Sequence, residues 1–346
     1  MITVLSGGTG GAKFIQGLAS VVPSENLSII VNTGDDLTCW GLHVSPDIDS
    51  VMYGLAGMLN RERGWGMEGE TFACLDAARR FRLPTWFQLG DRDLALHLAR
   101  TELLHSGKTL AEATAEIAQQ LGIRATILPM SDDRVETRLL TDAGELSFQE
   151  YFVRERYRPE PLGVRFVGSE NAQPAAGALR GIAEADAIII APSNPITSIG
   201  PILSLSGIRE SLRNTKAPIA AISPIVGNAA VSGPAGALMR CAGFEISFAG
   251  VASAYRDFLD VLIADHRDRN SDLLDDIAVH FCDTIMTSDH VKAQLAHDTV
   301  CALESFRQEK RVHGGTGAVA QESSNKAKQP EQRAVRSPKE KEEVAS

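Results

Sequence analysis

Short apolar runs without polar alternation recur along the chain, and they constrain its fold more than any other feature. Strands that are apolar throughout are covered on both faces, as in a parallel sheet. Helical periodicity separates the runs, as at 12–22 and 289–306. This alternation predicts an α/β protein with a Rossmann-like parallel sheet and helices on both faces. The runs are at 2–5, 27–31, 186–191, 218–223, 260–265 and 278–283.

Residues 60–175 interrupt this alternation, and we predict that they form an insertion that caps the ligand edge of the sheet. The segment RVETRLLT–DAGE–LSFQEYFV within it is typical of a β-hairpin. The Rossmann-like core then consists of residues 1–59 and 176–306. The helical stretches predicted in the insertion are 70–82, 92–106 and 109–121.

We predict a single domain that ends at residue 306 and is followed by a tail of different composition. Residues 307–346 contain no Leu, Ile, Phe, Tyr or Trp. Such a segment cannot bury enough apolar surface to offset the entropy of ordering. We therefore expect residues 307–346 to be disordered.

Charge and cysteine content exclude several classes of protein. The chain has 34 Lys and Arg against 44 Asp and Glu, a net charge of −10, so it has no basic surplus for nucleic acid. No apolar run is long enough to span a bilayer, and residues 2–5 lead into a glycine-rich segment rather than a signal sequence. We therefore expect a cytoplasmic protein without a membrane partner. The five cysteines lack paired spacing, so we expect reduced thiols and no structural zinc.

A glycine-rich segment, SGGTGGAK (6–13), follows the first predicted strand and opens the first predicted helix. At this place in a parallel sheet, backbone N–H groups and a helix N-terminus can bind an anion. The spacing matches neither the usual GxGxxG register nor GxxxxGK[ST]. Phosphate binding and a simple tight turn therefore both remain open. The candidate phosphate-binding residues are Gly7, Gly8, Thr9, Gly10, Gly11 and Lys13.

Acidic residues follow the second predicted strand. Asp35 and Asp36 are adjacent, a pattern that suits magnesium, which takes one or two carboxylates plus phosphate oxygens. Asp47 and Asp49 follow Ser45 and a proline, and they also fit the first turn of a helix, where acids favour the dipole. Residues i and i+2 point about 200° apart on a helix, so only one of the two can join the same ion. We predict a metal site formed by Asp35, Asp36 and Asp49.

Three further segments carry polar residues that could contact a ligand. FQLGDRDLALHLART (87–101) concentrates charges and is either a capped surface helix or a site that recognises a ring or a sugar. APSNPITSIGPIL (191–203) and AISPIVG (221–227) each follow a buried strand, where loops bind ligands in this architecture. RGWGMEGET (63–71) adds a tryptophan that could stack on a ring. The candidate residues are Trp65, Asp91, Arg92, Asp93, His97, Ser193, Asn194, Ser198 and Ser223.

Together these segments resemble the family of 2-phospho-L-lactate transferases, which act in biosynthesis of the deazaflavin coenzyme F-420. The resemblance rests on ITVLSGGTGGAKF, the NTGDD…PDID block, RGWGMEGET, GDRDLA, APSNPITSIGPIL and AISPIVG, and it runs from Met1 to about Phe306. One departure is Leu96 in ALH (95–97), where the family pattern has Thr. The tail after residue 306 is a second departure.

The resemblance implies a reaction. The donor would be a guanosine diphosphate ester that carries a phospholactyl, enolpyruvyl-phosphate or phosphoglyceryl group. The acceptor would be the terminal ribityl hydroxyl of the deazaflavin Fo, and the products would be F-420-0 or dehydro-F-420-0 and GMP. The resemblance also implies a magnesium ion and a homodimer. The sequence does not choose among the three donors.

The resemblance also distributes roles among the candidate residues. The glycine-rich segment would bind the diphosphate, and the APSNP and SPIVG loops would bind the guanosine side. Asp36 would orient or deprotonate the ribityl hydroxyl, and Lys13 would add a positive charge beside the phosphates. Fo would be bound by Asp91, Arg92, Asp93, His97 and Trp65.

Two other functions fit the glycine-rich opening. One is a non-catalytic regulator of the gluconeogenesis-factor type, which binds a nucleotide sugar. The other is a nicotinamide-dependent dehydrogenase, which the glycine register and the paired acids disfavour. GDRDLALH (90–97) and APSNP (191–195) argue for the transferase, because both are not expected in a sugar-nucleotide sensor.

Overall fold

A seven-stranded parallel sheet lies at the centre of the protein. The computed structural model describes residues 1–60, 63–269, 274 and 276–325, with side chains up to residue 310. Met1–Glu304 form one compact unit, and a second unit begins at Ser305.

The secondary-structure elements are numbered in chain order. The strands are β1 (Ile2–Ser6), β2 (Leu27–Val31), β3 (Leu37–Cys39), β4 (Leu42–Val44), β5 (Thr126–Pro129), β6 (Glu136–Thr141), β7 (Gly144–Ser147), β8 (Pro161–Val167), β9 (Ala187–Ile190), β10 (Ile219–Ile222), β11 (Ile225–Val226), β12 (Ala229–Ala230), β13 (Val261–Asp265) and β14 (Ala278–Cys282). The α-helices are α1 (Gly8–Val21), α2 (Pro46–Leu55), α3 (Ala73–Arg80), α4 (Asp91–His105), α5 (Leu110–Gln120), α6 (Ala178–Ala183), α7 (Gly200–Ser204), α8 (Ile208–Asn214), α9 (Ala235–Cys241), α10 (Phe248–Tyr255) and α11 (Asp289–Asn325). Glu150–Arg154 and Pro195–Ile199 form short π-helical turns.

The strand order of the central sheet is β14-β13-β10-β9-β1-β2-β5. All six of the apolar runs are strands of this sheet, which confirms the predicted Rossmann-like α/β fold. Strand β2 is buried at every residue, and β1 from its second residue on, as expected for strands covered by helices on both faces. Because the strands are parallel, the segments that follow them meet at one edge of the sheet.

The predicted insertion differs from the structure in one respect that matters for the sheet. Residues 60–175 contain β5, which pairs in parallel with β2 and forms one end of the central sheet. Strand β5 has only the four residues TILP, which is too short for its apolar pattern to predict a strand between the neighbouring elements. The three predicted helices are present as α3, α4 and α5.

The predicted hairpin is also present, as β6 and β7, with Thr141 opposite Gly144. A third strand, β8, which the sequence did not indicate, pairs with the other side of β6. Its sequence PLGVRFV begins with proline and contains glycine, residues that are depleted in strands. The result is a three-stranded antiparallel sheet, β7-β6-β8, beside the main sheet.

Helix α11 extends beyond the predicted domain end at residue 306. It continues to Asn325, so residues 307–325 are helical where we expected disorder. Residues 326–346 lie outside the described part of the chain, and their disorder stays a prediction. Over the residues that the structure describes, no helix combines the length and apolar character needed to cross a bilayer.

Glycines allow α1 to start directly after β1 and to pack against the segment that follows β9. A Cβ at Gly10 would overlap the backbone carbonyl oxygen of Pro192. A Cβ at Gly11 would overlap the hydroxyls of Ser6 and Ser193. Gly8 has a φ of +67°, a conformation that other residues adopt at a cost. Several glycines of the motif are therefore required by packing and conformation, whatever ligand they contact.

Gly10→Ala should lower the free energy of unfolding by about 1–3 kcal/mol, because the new methyl group meets backbone that cannot rotate away. Gly54→Ala in α2 is the matched control, since its Cβ would lie 3.5 Å from the nearest atom. That control should be neutral or stabilising by about 0.4–1 kcal/mol. Urea unfolding of both variants measures the difference, and equal stabilities would contradict the packing argument.

Candidate active site

A cavity of about 710 Å³ lies at the carboxyl edge of the central sheet. Its volume is in the range of small-molecule sites, and its place is where ligands bind in open α/β sheets. Its lining includes segments that follow β1, β2, β9, β10 and β14. Neighbouring strands are about 4.8 Å apart, so a lining from β2 to β14 extends over about 24 Å. This length suits an extended ligand or two ligands placed end to end.

Three other segments converge on Gly7, which lies between β1 and α1. A Cβ there would lie 2.8 Å from Cβ of Ser198, 2.9 Å from Oδ2 of Asp47 and 3.0 Å from Cβ of Asn32. The hydroxyl of Ser193 donates a hydrogen bond to the carbonyl of Gly7 at 2.7 Å. No side chain larger than hydrogen fits at this position, so Gly7 lets the polar groups of the site approach one another.

Asp35 and Asp47 form a buried acid pair beside this glycine. The side-chain amide of Asn32 donates to both carboxylates, at 3.1 Å to Asp35 and 2.9 Å to Asp47. The backbone N–H of Gly8 also donates to Asp47. Burial raises the pKa of Asp47 to about 6, and burial together with the charge of Asp47 raises the pKa of Asp35 well above its usual value. Both carboxylates line the cavity.

The acid pair fits a divalent cation. Oδ1 of Asp35 is buried and makes no hydrogen bond of good geometry to the described residues, and the hydroxyl of Thr137 is likewise unpaired. That hydroxyl lies close enough to lower the pKa of Asp35, but burial outweighs its effect. The two carboxylates carry like charges in a buried environment, and one oxygen of Asp35 has no hydrogen-bond donor of good geometry among the described residues. A magnesium ion bound there would neutralise these charges and use the free oxygen as a ligand.

Asp36 and Asp49, which we predicted to share this metal site, are engaged elsewhere. Asp36 does not line the cavity, and its Oδ2 accepts hydrogen bonds from Ser45 at 2.7 Å and from the ring of His43 at 3.1 Å. Asp49 lines the cavity but is paired with Arg100. The structure therefore brings Asp47, not Asp36 or Asp49, to Asp35. The sequence analysis favoured Asp49 over Asp47, and the packing of α2 against α4 reverses that choice.

The ion pair between Asp49 and Arg100 is completely buried and joins α2 to α4. Two guanidinium nitrogens contact both carboxylate oxygens, one at 3.2 Å and the other closer. Burial disfavours the guanidinium charge, but Asp49 outweighs this, so the pKa of Arg100 lies above its usual value. His97 is 3.7 Å from Asp49, and burial lowers its pKa to about 4, so the ring is neutral and adds no charge.

The GDRD segment divides between the cavity and the surface. Asp93 and His97, one turn apart on α4, both line the cavity. Asp91 instead accepts hydrogen bonds from Thr71 and from backbone amides at the start of α3, and Arg92 donates to the carbonyl of Glu68. Neither Asp91 nor Arg92 lines the cavity, and both are hydrogen-bonded to residues between 68 and 74 instead.

Most of the other predicted residues line the cavity. Gly11 is the exception, because it is buried beneath Ser6 and Ser193. Lys13 reaches the cavity and makes no hydrogen bond or ion pair with the described residues. The members of this set that line the cavity are Gly7, Gly8, Thr9, Gly10, Lys13, Trp65, Ser193, Asn194, Ser198 and Ser223.

The segment that follows the β6–β7 hairpin lines one side of the cavity. It belongs to the insertion that we predicted to cap the ligand edge of the sheet. Phe148 and Phe152 stack with ring centroids 5.5 Å apart, and both line the cavity. Gln149 donates to the backbone carbonyl of Asp35 at 3.2 Å. The sequence analysis did not single out these residues, although aromatic rings four positions apart are a signal for one helix face. It also missed Tyr53, which lies one turn after Asp49 and lines the same cavity.

The model of the family "2-phospho-L-lactate transferase CofD" matches residues 2–304. The chain belongs to this family. It is 43% identical to the 2-phospho-L-lactate transferase of Methanosarcina acetivorans over 86% of this chain and 99% of that protein. It is 41% identical to the 2-phospho-L-lactate transferase of Methanocaldococcus jannaschii over 87% of this chain and 97% of that protein. It is 42% identical to the 2-phospho-L-lactate transferase of Methanopyrus kandleri over 88% of this chain and 98% of that protein.

Membership of the CofD family makes the protein a transferase of the F-420 biosynthetic type that acts on small molecules. Among solved structures it is similar to a UPF0052-family protein from Bacillus halodurans. The two share 18% identity with a TM-score of 0.51, over 86% of this chain and 84% of the other. At this identity the likeness shows the fold alone.

Replacing Arg100 with Met should lower the free energy of unfolding by about 3–5 kcal/mol, because Asp49 then remains buried without its partner. The double variant Asp49→Asn/Arg100→Met should recover a large part of this loss. Arg165→Met, which breaks an exposed ion pair with Glu145, is the control and should cost about 1 kcal/mol at most. Urea unfolding at neutral pH measures all three, and a double variant no better than Arg100→Met would contradict the pairing argument.

Proposed function

We propose that the protein transfers a phospho-acid group from a guanosine diphosphate ester to the terminal ribityl hydroxyl of the deazaflavin Fo. The transferred group is 2-phospholactyl, enolpyruvyl-phosphate or phosphoglyceryl, and GMP leaves. The observation that carries this proposal is the buried acid pair Asp35–Asp47 at the N-terminus of α1, inside a cavity long enough for both substrates. Family membership supports the transferase class, and the alternative of a non-catalytic nucleotide-sugar regulator is disfavoured accordingly.

The diphosphate of the donor would bind beside the acid pair. Thr9, Ser198 and Lys13 line the cavity there, and the ammonium of Lys13 is available to a phosphate oxygen. The N-terminus of α1 adds the favourable end of a helix dipole. Since Gly8 already donates to Asp47, the glycine segment would contribute through dipole and close packing rather than through every amide.

Magnesium would be held by Asp35 and Asp47. A bound ion would offset the negative charge that develops on the phosphate oxygens during transfer. The protein's own part is to fix the orientation of both carboxylates through the side-chain amide of Asn32.

The two ends of the cavity would bind the two substrates. Ser223 and the segments 231–235 and 284–286 lie on the β10 and β14 side and would hold the guanosine. Trp65 and the residues that line the cavity from 87 to 97 lie on the other side of the acid pair and would hold Fo. The expected homodimer stays a prediction.

Product analysis tests the reaction directly. Purified protein is incubated with Fo, magnesium and each of the three guanosine diphosphate esters in turn. Mass spectrometry should detect F-420-0 or its dehydro or phosphoglyceryl counterpart, together with GMP. No new deazaflavin product with any donor would refute the proposal.

Asp35→Asn and Asp47→Asn should each lower kcat by about 10²-fold or more, because the loss of a metal ligand removes several kcal/mol of charge stabilisation. Each variant should also bind Mn²⁺ more weakly in an electron paramagnetic resonance titration. Asp76→Asn, an exposed acid of α3, is the control and should change neither quantity. Normal turnover and Mn²⁺ affinity in Asp35→Asn would contradict the metal assignment.

Fo should slow amide hydrogen exchange in residues 87–101, because binding orders the segment that lines its side of the cavity. Strand β8, which lies outside the cavity lining, is the internal reference and should exchange as before. Mass spectrometry of peptic fragments with and without saturating Fo measures the effect. Unchanged exchange across 87–101 would remove the acceptor site from this segment.

A further inference from the structure

Four carboxylates line the cavity among the described residues, and three of them already have a partner or a role. Asp35 and Asp47 form the acid pair, and Asp49 is neutralised by Arg100. The remaining one is Asp93, in the first turn of α4. Asp36, the base that the sequence suggested, is outside the cavity lining and hydrogen-bonded to Ser45.

Tyr53 fixes the orientation of the Asp93 carboxylate. Its hydroxyl donates a hydrogen bond of 2.6 Å to Oδ1 of Asp93. Burial raises the pKa of Tyr53, so the phenol keeps its proton and remains the donor. Oδ2 accepts no side-chain hydrogen bond from the described residues and lies toward Gly66, which also lines the cavity. Tyr53 therefore holds Oδ1, and Oδ2 is the oxygen without a side-chain donor among the described residues.

Helix α2 carries both Asp47 of the acid pair and Tyr53, the residue that holds Asp93. Asp47 is in the first turn of this helix and Tyr53, which contacts Asp93, is six residues later. The rise over six residues is about 9 Å. Asp93 is thus held from the part of α2 that follows the acid pair, and its carboxylate lies toward Gly66 in the same cavity lining.

We propose that Asp93, oriented by Tyr53, is the general base that takes the proton from the acceptor hydroxyl. This inference rests on the proposed function and names the residue that acts within it. The hydroxyl oxygen of Fo forms a bond to the phosphorus that carries the three-carbon acid. The bond from that phosphorus to the bridging oxygen breaks, and its electron pair leaves with GMP. The hydroxyl proton goes to Oδ2 of Asp93 and then to solvent.

The environment of Asp93 suits this role. Burial raises its pKa to about 6, and the charges of Asp49 and Glu70 act in the same direction. The hydroxyl of Tyr53 and the backbone amide of Gly90 lower it. A base whose pKa lies near the working pH is both deprotonated and able to accept a proton. His97, one turn further along α4, is a weaker base because burial lowers its pKa to about 4.

The test compares Asp93→Asn, Tyr53→Phe and a control, Glu102→Gln, on the exposed side of α4. The measured quantities are kcat against pH at saturating magnesium and both substrates, and the Kd of Fo from a titration of its absorbance. In the unchanged protein, kcat should fall about tenfold per pH unit below about pH 6. Glu102→Gln should give the same profile.

Asp93→Asn should lower kcat by about 10²–10⁴-fold and abolish this acidic limb, while the Kd of Fo changes by only about threefold. In the unchanged protein the hydrogen bond from Tyr53 lowers the pKa of Asp93. Tyr53→Phe removes this bond, so the pKa of Asp93 should rise and the acidic limb should move to higher pH. The shift in Tyr53→Phe decides the question by itself if Asp93→Asn fails to fold.

Two results would overturn the inference. One is an Asp93→Asn variant that keeps kcat and its acidic limb, or loses only Fo affinity. The other is a Tyr53→Phe variant whose limb does not move. Failure of the proposed function is distinguishable, because in that case the unchanged protein forms no product with any donor.

Discussion

The close approach of four chain segments around Gly7 is the constraint on which the site depends. At this point the end of β1 is in contact with side chains that follow β2 and β9 and with Asp47 at the start of α2. A parallel sheet brings these segments to one edge, but their side chains meet only because Gly7 has none. Without that approach, Asn32 could not reach both Asp35 and Asp47 at once.

Electrostatics then separates Asp47 from Asp49, the acid that the sequence analysis assigned to the metal. Asp47 and Asp49 are two residues apart on α2, so they face different neighbours. Asp49 finds a buried guanidinium, which cancels its charge and fastens α2 to α4. Asp47 instead lies beside the carboxylate of Asp35 and the side-chain amide of Asn32, so the negative charge of the acid pair is not balanced by a cation of the described residues. One helix turn thus supplies both a structural ion pair and one member of the buried acid pair.

Much of the fold follows from the sequence, because apolar runs without alternation define buried parallel strands. Local sequence patterns did not predict two strands whose formation depends on tertiary contacts. Strand β5 is too short to show a period, and β8 begins with proline yet pairs with β6. In the site, the strand ends and the cavity segments were predictable, whereas the direction of each side chain was not. Asp36 shows the difference, since it follows β2 as expected and then turns toward Ser45 and His43.

The bond between Gln149 and the backbone of Asp35 gives the hairpin cap a second role. Gln149 follows the β6–β7 hairpin, beside the rings of Phe148 and Phe152 that cover the cavity. Any outward movement of this segment stretches a bond to the residue that carries half of the acid pair. Access to the cavity and the position of Asp35 are therefore coupled through this hydrogen bond. An outward movement of this segment would therefore shift Asp35 relative to Asp47, so the spacing of the acid pair would change with access to the cavity.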